Sequence, residues 1–164
     1  MNAEIASLAT ALLAASRETK IMVATAESCT GGLVAGAITD IAGSSGIFDR
    51  GFVTYSNAAK MEMLGVNGAT LETYGAVSAP TAIEMARGAL EHSRADIAVS
   101  ITGVAGPGGG TAEKPVGLVH FACARRGGAT AHVERRFGHL SREEIRAASV
   151  AQALNMLLEA ARSP

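Results

Sequence analysis

The chain contains no tryptophan, and aromatic residues make up only 4% of it. Platforms that stack the bases of single-stranded nucleic acid are built from aromatic side chains, so the composition argues against one. Charge of one sign is not in excess either: 14 Lys and Arg face 15 Asp and Glu, a net charge of −1. Nothing here would pull on a phosphate backbone or an anionic membrane, and neither nucleic acid nor membrane is expected as a partner. Cysteine is scarce. Cys29 and Cys123 stand far apart, which suits a reducing cytoplasm and offers neither a disulfide framework nor a zinc site. His92, His120, His132 and His139 lack metal-ligand spacing, so no metal or other cofactor is expected. His120 and His132 fall within strand-like alternation and read as face positions. No apolar run approaches the roughly 18 residues of a membrane span. No basic segment precedes the first apolar residues, as it would in a signal peptide.

What the chain does have is small and apolar. Hydrophobic residues make up 48% and charged residues 18%, with a mean hydropathy of +0.25. At 164 residues a single domain, 1–164, is expected, burying roughly 70% of the surface exposed by its unfolded form. Ile5, Leu8, Leu12 and Leu13 recur at helical spacing over 4–16. A strand is expected at about 20–25, a helix at about 29–41 capped by Ser28 and closed by Gly43, and a strand at 48–55. A short helix capped by Asn57 runs to Met63, and a longer one opens at Pro80. Asp96–Thr102 reads as a buried strand, 103–115 as a Gly/Pro loop, 116–123 and 129–137 as a hairpin, and 141–161 as a closing amphipathic helix. Early alternation of strand and helix followed by a hairpin predicts an α/β protein. Its form is a three-layer α/β/α sandwich with a mixed, mostly parallel sheet.

Three strand ends are polar: Glu27/Ser28, Tyr55/Ser56 and Thr102/Gly103. If those strands are parallel, these side chains meet at one sheet edge, where open α/β sheets bind ligands. Thr25-Ala-Glu-Ser-Cys-Thr-Gly-Gly32 brings two hydroxyls, a thiol and a carboxylate to a strand-to-helix turn. Lys60 falls in the first turn of its helix, where the macrodipole disfavours a cation. Dipole and burial both lower a lysine pKa, and a neutral amine can serve as general base to a hydroxyl. Arg142 also opens a helix, which calls for a neighbouring anion or carboxylate. Gly103-Val-Ala-Gly-Pro-Gly-Gly-Gly110 lacks the ending of a P-loop, yet its backbone N–H groups can line an anion pocket. Ser44 and Ser45, between glycines, read as a turn. Arg125, Arg126, Arg135 and Arg136 read as solvated turn and strand-face residues.

Taken together, Thr25–Gly32, Ile41-Ala-Gly-Ser-Ser-Gly46, Arg50-Gly-Phe-Val-Thr-Tyr-Ser-Asn57 with Lys60, Gly75-Ala-Val-Ser78, Ser100–Pro107 and Glu113-Lys-Pro-Val-Gly117 resemble the CinA C-terminal domain family. The stand-alone form of that family deamidates nicotinamide mononucleotide. The resemblance runs from about 5 to 160. It implies a cytoplasmic, homo-oligomeric amidohydrolase of pyridine-nucleotide recycling, acting on a small nucleotide through a serine and a lysine without a metal. It implies Ser45 as nucleophile, with Ser28 the other hydroxyl that would serve. It also implies Lys60 as base and Tyr55 as relay or orienting hydroxyl, with Ser28, Thr30, Thr102, Gly103 and Arg142 binding substrate. Two other readings stand beside it: a nucleotide-binding module with the same pocket but no turnover, and an assembly module resting on the Ala/Gly content and exposed apolar helices more than on the pocket.

Overall fold

The computed structural model describes residues 1–163. Its elements in chain order are α1 (Ala3–Thr19), β1 (Val23–Glu27), α2 (Leu33–Thr39), a 3-10 turn (Ser44–Gly46), β2 (Phe48–Val53), α3 (Asn57–Leu64), α4 (Gly68–Tyr74), α5 (Ala79–Glu91), β3 (Ile97–Gly103), β4 (Leu118–Arg125), β5 (Thr130–Arg136) and α6 (Arg142–Arg162). The strands form one sheet in the order β2-β1-β3-β4-β5. β2, β1 and β3 are parallel, while β4 and β5 are added antiparallel. The expected mixed sheet is thus present, with its parallel part confined to the three strands that carry the polar ends.

Alternation along the strands divides the core in two. Val23, Ile97, Val99, Ile101, Val119 and Phe121 share one apolar cluster with residues of α1, α2 and α6, including Leu12, Ile38 and Leu154. The opposite face is nearly all alanine (Ala24, Ala26, Ala98, Ala122, Ala124) and packs with Leu64, Leu71, Ala82, Met85, Ala86 and Ala89 of α3, α4 and α5. Two helical layers therefore enclose the sheet, and small residues on the second face let α5 approach closely. Gly88 of α5 is the tightest case. A Cβ there would lie 1.9 Å from the carbonyl oxygen of Leu64, a backbone atom that cannot swing aside. Gly88→Ala is expected to cost about 2–3 kcal/mol, read as a lowered denaturant midpoint at unchanged slope.

Chain connectivity puts a crevice at the end of β1. From β1 the chain passes through α2 to β2 on one side. From β2 it passes through α3, α4 and α5 to β3 on the other. The carboxyl end of β1 is therefore the point where the sheet order reverses, and ligands of open α/β sheets bind there.

Several local expectations are corrected. Ser28 does not cap α2: the helix begins at Leu33 after Gly32. Glu27 takes over that task. Its fully buried carboxylate accepts hydrogen bonds from the backbone N–H of Val34 (2.9 Å) and Ala35 (3.0 Å), placing negative charge at the positive end of the helix. α2 ends at Thr39, so Gly43 (φ 90) leads into the 3-10 turn instead of closing a helix. The cap of α3 is Ser56, whose hydroxyl accepts from Ala59 N–H, and not Asn57. α4 is a helix that the periodicity of the sequence does not predict. Arg126 is also more than a solvated turn residue. Its guanidinium donates to the carbonyls of Leu90, Ser93 and Ala95, closing the end of α5.

Candidate active site

Ser28 directly follows β1, and its backbone N–H donates to Ile101 O of β3 at 2.9 Å. That bond holds the residue at the sheet edge while leaving its side chain free to turn toward α3. There, Lys60 Nζ lies 2.9 Å from Ser28 Oγ and donates to Thr54 O at 2.8 Å. Lys60 is 1% exposed and Ser28 9%. Among the described residues no carboxylate forms an ion pair with Lys60. Burial pushes its amine below the ordinary 10.5, a push opposed by the neighbouring Cys29 sulfur. The amine sits one turn into α3, where the helix dipole disfavours a cation as well. Lys60 thus donates to both Thr54 O and Ser28 Oγ, and in its neutral form the amine can instead offer its lone pair to the serine hydroxyl.

Cys29 is buried beside this pair. Burial raises its thiol to about 11, against lowering contributions from its own backbone and from Arg146. It is therefore protonated near neutrality, the form that is the poorer nucleophile, since the reactive species is the thiolate.

The crevice outside β1 and β3 has a volume of about 310 Å³, within the usual range of small-molecule sites, about 300–1,000 Å³. Ser28, Lys60, Tyr55, Thr102, Gly103 and Arg142 all line it, together with the 104–109 loop and Ala76–Val77. Thr102 is spent on position: its hydroxyl donates to Ala76 O at 2.9 Å. Gly103 has no room for a side chain, because a Cβ would lie 2.7 Å from Leu118 O. Arg142 donates to Gly106 O (2.7 Å) and to the Tyr55 hydroxyl (3.2 Å), tying α6, the glycine loop and the exposed Tyr55 into one rim.

Two expected site residues are not in this crevice. Ser45 lies in the 3-10 turn before β2, exposed, at the end of the sheet where Val23 N–H bonds Ile47 O. That is the amino end of β1. The five residues of β1, roughly 16 Å at about 3.3 Å each, separate it from Ser28. The expected pairing of Ser45 with Lys60 is thus corrected: the hydroxyl beside the amine is that of Ser28. Thr30 is fully buried and its hydroxyl donates to Glu27 at 2.6 Å, so its side chain serves the turn and does not face the crevice. Tyr55 does line the rim, but its hydroxyl is bonded to Arg142, and Lys60 reaches Ser28 with no relay between them.

A larger open groove of about 810 Å³ runs between α1, α2 and α6 and shares only Arg142 with the crevice. It holds no paired hydroxyl and amine. Among the described residues no group of three His, Cys, Asp or Glu is arranged to hold a metal ion, and no helix is long and apolar enough to cross a membrane.

Comparison with known proteins finds the same architecture and sequence pattern. Residues 5–161 match the family model of the CinA C-terminal domain. Nicotinamide-nucleotide amidohydrolase PncC of Enterobacter agglomerans is 60% identical over 124 residues, covering 76% of this chain and 75% of that protein. A CinA-like protein of Akkermansia muciniphila is 51% identical over 157 residues, covering 96% of this chain but 38% of its own length. The crystal structure of the competence/damage inducible protein CihA from Agrobacterium tumefaciens superposes with a TM-score of 0.96 at 56% identity, covering 99% of this chain and 98% of that one.

Proposed function

This chain belongs to the CinA C-terminal domain family, and from that premise we propose that it is an amidohydrolase converting nicotinamide mononucleotide and water to nicotinate mononucleotide and ammonia, as the name of the Enterobacter agglomerans relative suggests. Ser28 is the nucleophile and Lys60 its general base. One observation carries this reading: a desolvated amine 2.9 Å from a serine hydroxyl at the mouth of a ligand-sized crevice.

The steps follow from that pair. Ser28 Oγ attacks the carboxamide carbon while neutral Lys60 takes the hydroxyl proton. The resulting tetrahedral oxyanion needs donors that are already in place. The backbone N–H groups of Cys29 and Thr30 meet that need: they follow the nucleophile directly, and neither donates to a backbone carbonyl among the described residues. Collapse breaks the C–N bond, and the lysine ammonium passes its proton to the departing nitrogen, which leaves as ammonia. Water, deprotonated by the same amine, then hydrolyses the acyl-serine ester and restores Ser28. Arg142 and the N–H groups of the 103–110 loop hold the phosphate of the substrate. Arg142→Ala is accordingly expected to raise KM about tenfold or more, the scale of a lost charged hydrogen bond, with kcat within a few-fold, by steady-state kinetics. The overall reading is tested by mixing the purified chain with nicotinamide mononucleotide: stoichiometric ammonia and nicotinate mononucleotide support it, and an unchanged substrate pool refutes it.

A further inference from the structure

Arg146 lies just past the first turn of α6. Among the described residues it has no carboxylate partner. It is half-buried, and its guanidinium reaches across to the turn after β1. Nε donates to Cys29 O at 3.1 Å and Nη2 to Thr30 O at 3.3 Å. The turn accommodates it closely: a Cβ at Gly31, which has φ +57, would lie 3.3 Å from Nη2.

We infer that Arg146 is a positioning residue for the reaction, holding the Cys29–Thr30 peptide unit so that the Thr30 N–H faces the developing oxyanion; this rests on the amidohydrolase reading above. The physics is that of a planar trans peptide, in which C=O and N–H point in opposite directions. Drawing Cys29 O toward α6 turns the Thr30 N–H away from α6, and that N–H donates to no backbone carbonyl among the described residues. Drawing Thr30 O the same way turns the next N–H, of Gly31, back to Ser28 O at 3.0 Å, closing the turn around the nucleophile. A guanidinium on a carbonyl also polarises that peptide unit and strengthens its N–H as a donor. Arg146 touches neither substrate nor Ser28 Oγ in this scheme. It acts through the backbone.

Kinetics of Arg146→Ala and Arg146→Lys beside wild type test this, with melting temperatures taken on the same samples. Arg146→Ala is expected to lower kcat about 10- to 100-fold, less than outright loss of an oxyanion donor, about 10²–10³-fold, with KM within about threefold. Millimolar guanidinium added to the alanine variant is expected to restore part of kcat, and Arg146→Lys to fall between. A clamp that only stabilises the fold would change the melting temperature but not respond to guanidinium. Kcat of folded Arg146→Ala within twofold of wild type overturns the inference, as does a loss that guanidinium leaves unmoved and that follows the folded fraction. Wild type that releases no ammonia overturns the amidohydrolase reading itself, and the positioning role falls with it.

Discussion

Ser28→Ala is expected to cut ammonia release by at least about 10⁴-fold, whereas Ser45→Ala leaves kcat/KM within about twofold. Loss of the nucleophile in a serine–base pair removes nearly all of the covalent route, and what survives comes from binding and oxyanion stabilisation alone. The contrast between the serines rests on where the fold puts them. Ser28 shares a crevice with the Lys60 amine. Ser45 lies at the opposite edge of the sheet, exposed. Ser28→Ala also deletes little volume, so its melting temperature is expected to stay near wild type, and a large kinetic loss then reads as chemistry.

Lys60→Met is expected to be almost as severe, about 10³-fold or more in kcat, because a serine hydroxyl without a base is a weak nucleophile at neutral pH. The wild-type pH profile carries the sign. Burial lowers the Lys60 pKa, and only the neutral amine accepts the serine proton. kcat/KM must therefore rise with pH along an acid limb whose midpoint lies below the ordinary lysine value of 10.5. Stability follows the same proton. Between the lowered native pKa and 10.5 the unfolded chain binds more protons than the native one, so stability rises with pH across that window. Below the native pKa, the full cost of charging a buried amine falls on the folded state. Urea unfolding of wild type and Lys60→Met over a pH series should show wild type gaining on the variant as pH rises. A pH-independent gap between them would mean that Lys60 keeps its ordinary pKa.

Periodicity carried most of the architecture. The apolar run Ile21–Ala24, the buried strand at Asp96–Thr102 and helical spacing in α1, α5 and α6 were legible because burial on one or both faces imposes them. α4 was not, since seven residues, of which only Leu71 is buried, leave little periodic signal. The caps misled where chemistry competes. Ser28 has the right residue type for an N-cap, but Lys60 claims its hydroxyl, and Glu27 can serve α2 only because a buried carboxylate needs the donors that a helix start offers. Lys60 was legible as an anomaly, a cation at the wrong end of a helix. Its partner was not. Ser45 and Ser28 are both hydroxyls in glycine-flanked turns, and only the parallel register of β1 with β2 and β3 decides which of them faces the lysine. Arg146 gave no signal at all: a basic residue on a terminal helix looks solvated until the turn after β1 is seen beneath it.

The central claim is that the Ser28 hydroxyl, deprotonated by Lys60, takes the acyl group of the substrate. Acid-quenching the working protein with nicotinamide mononucleotide, digesting it and weighing the peptides tests that claim directly. The predicted result is the mass of a nicotinate mononucleotide acyl group on the peptide bearing Ser28 and on no other, lost in Ser28→Ala together with turnover. The same mass on the peptide bearing Ser45, or full turnover by Ser28→Ala, would contradict it.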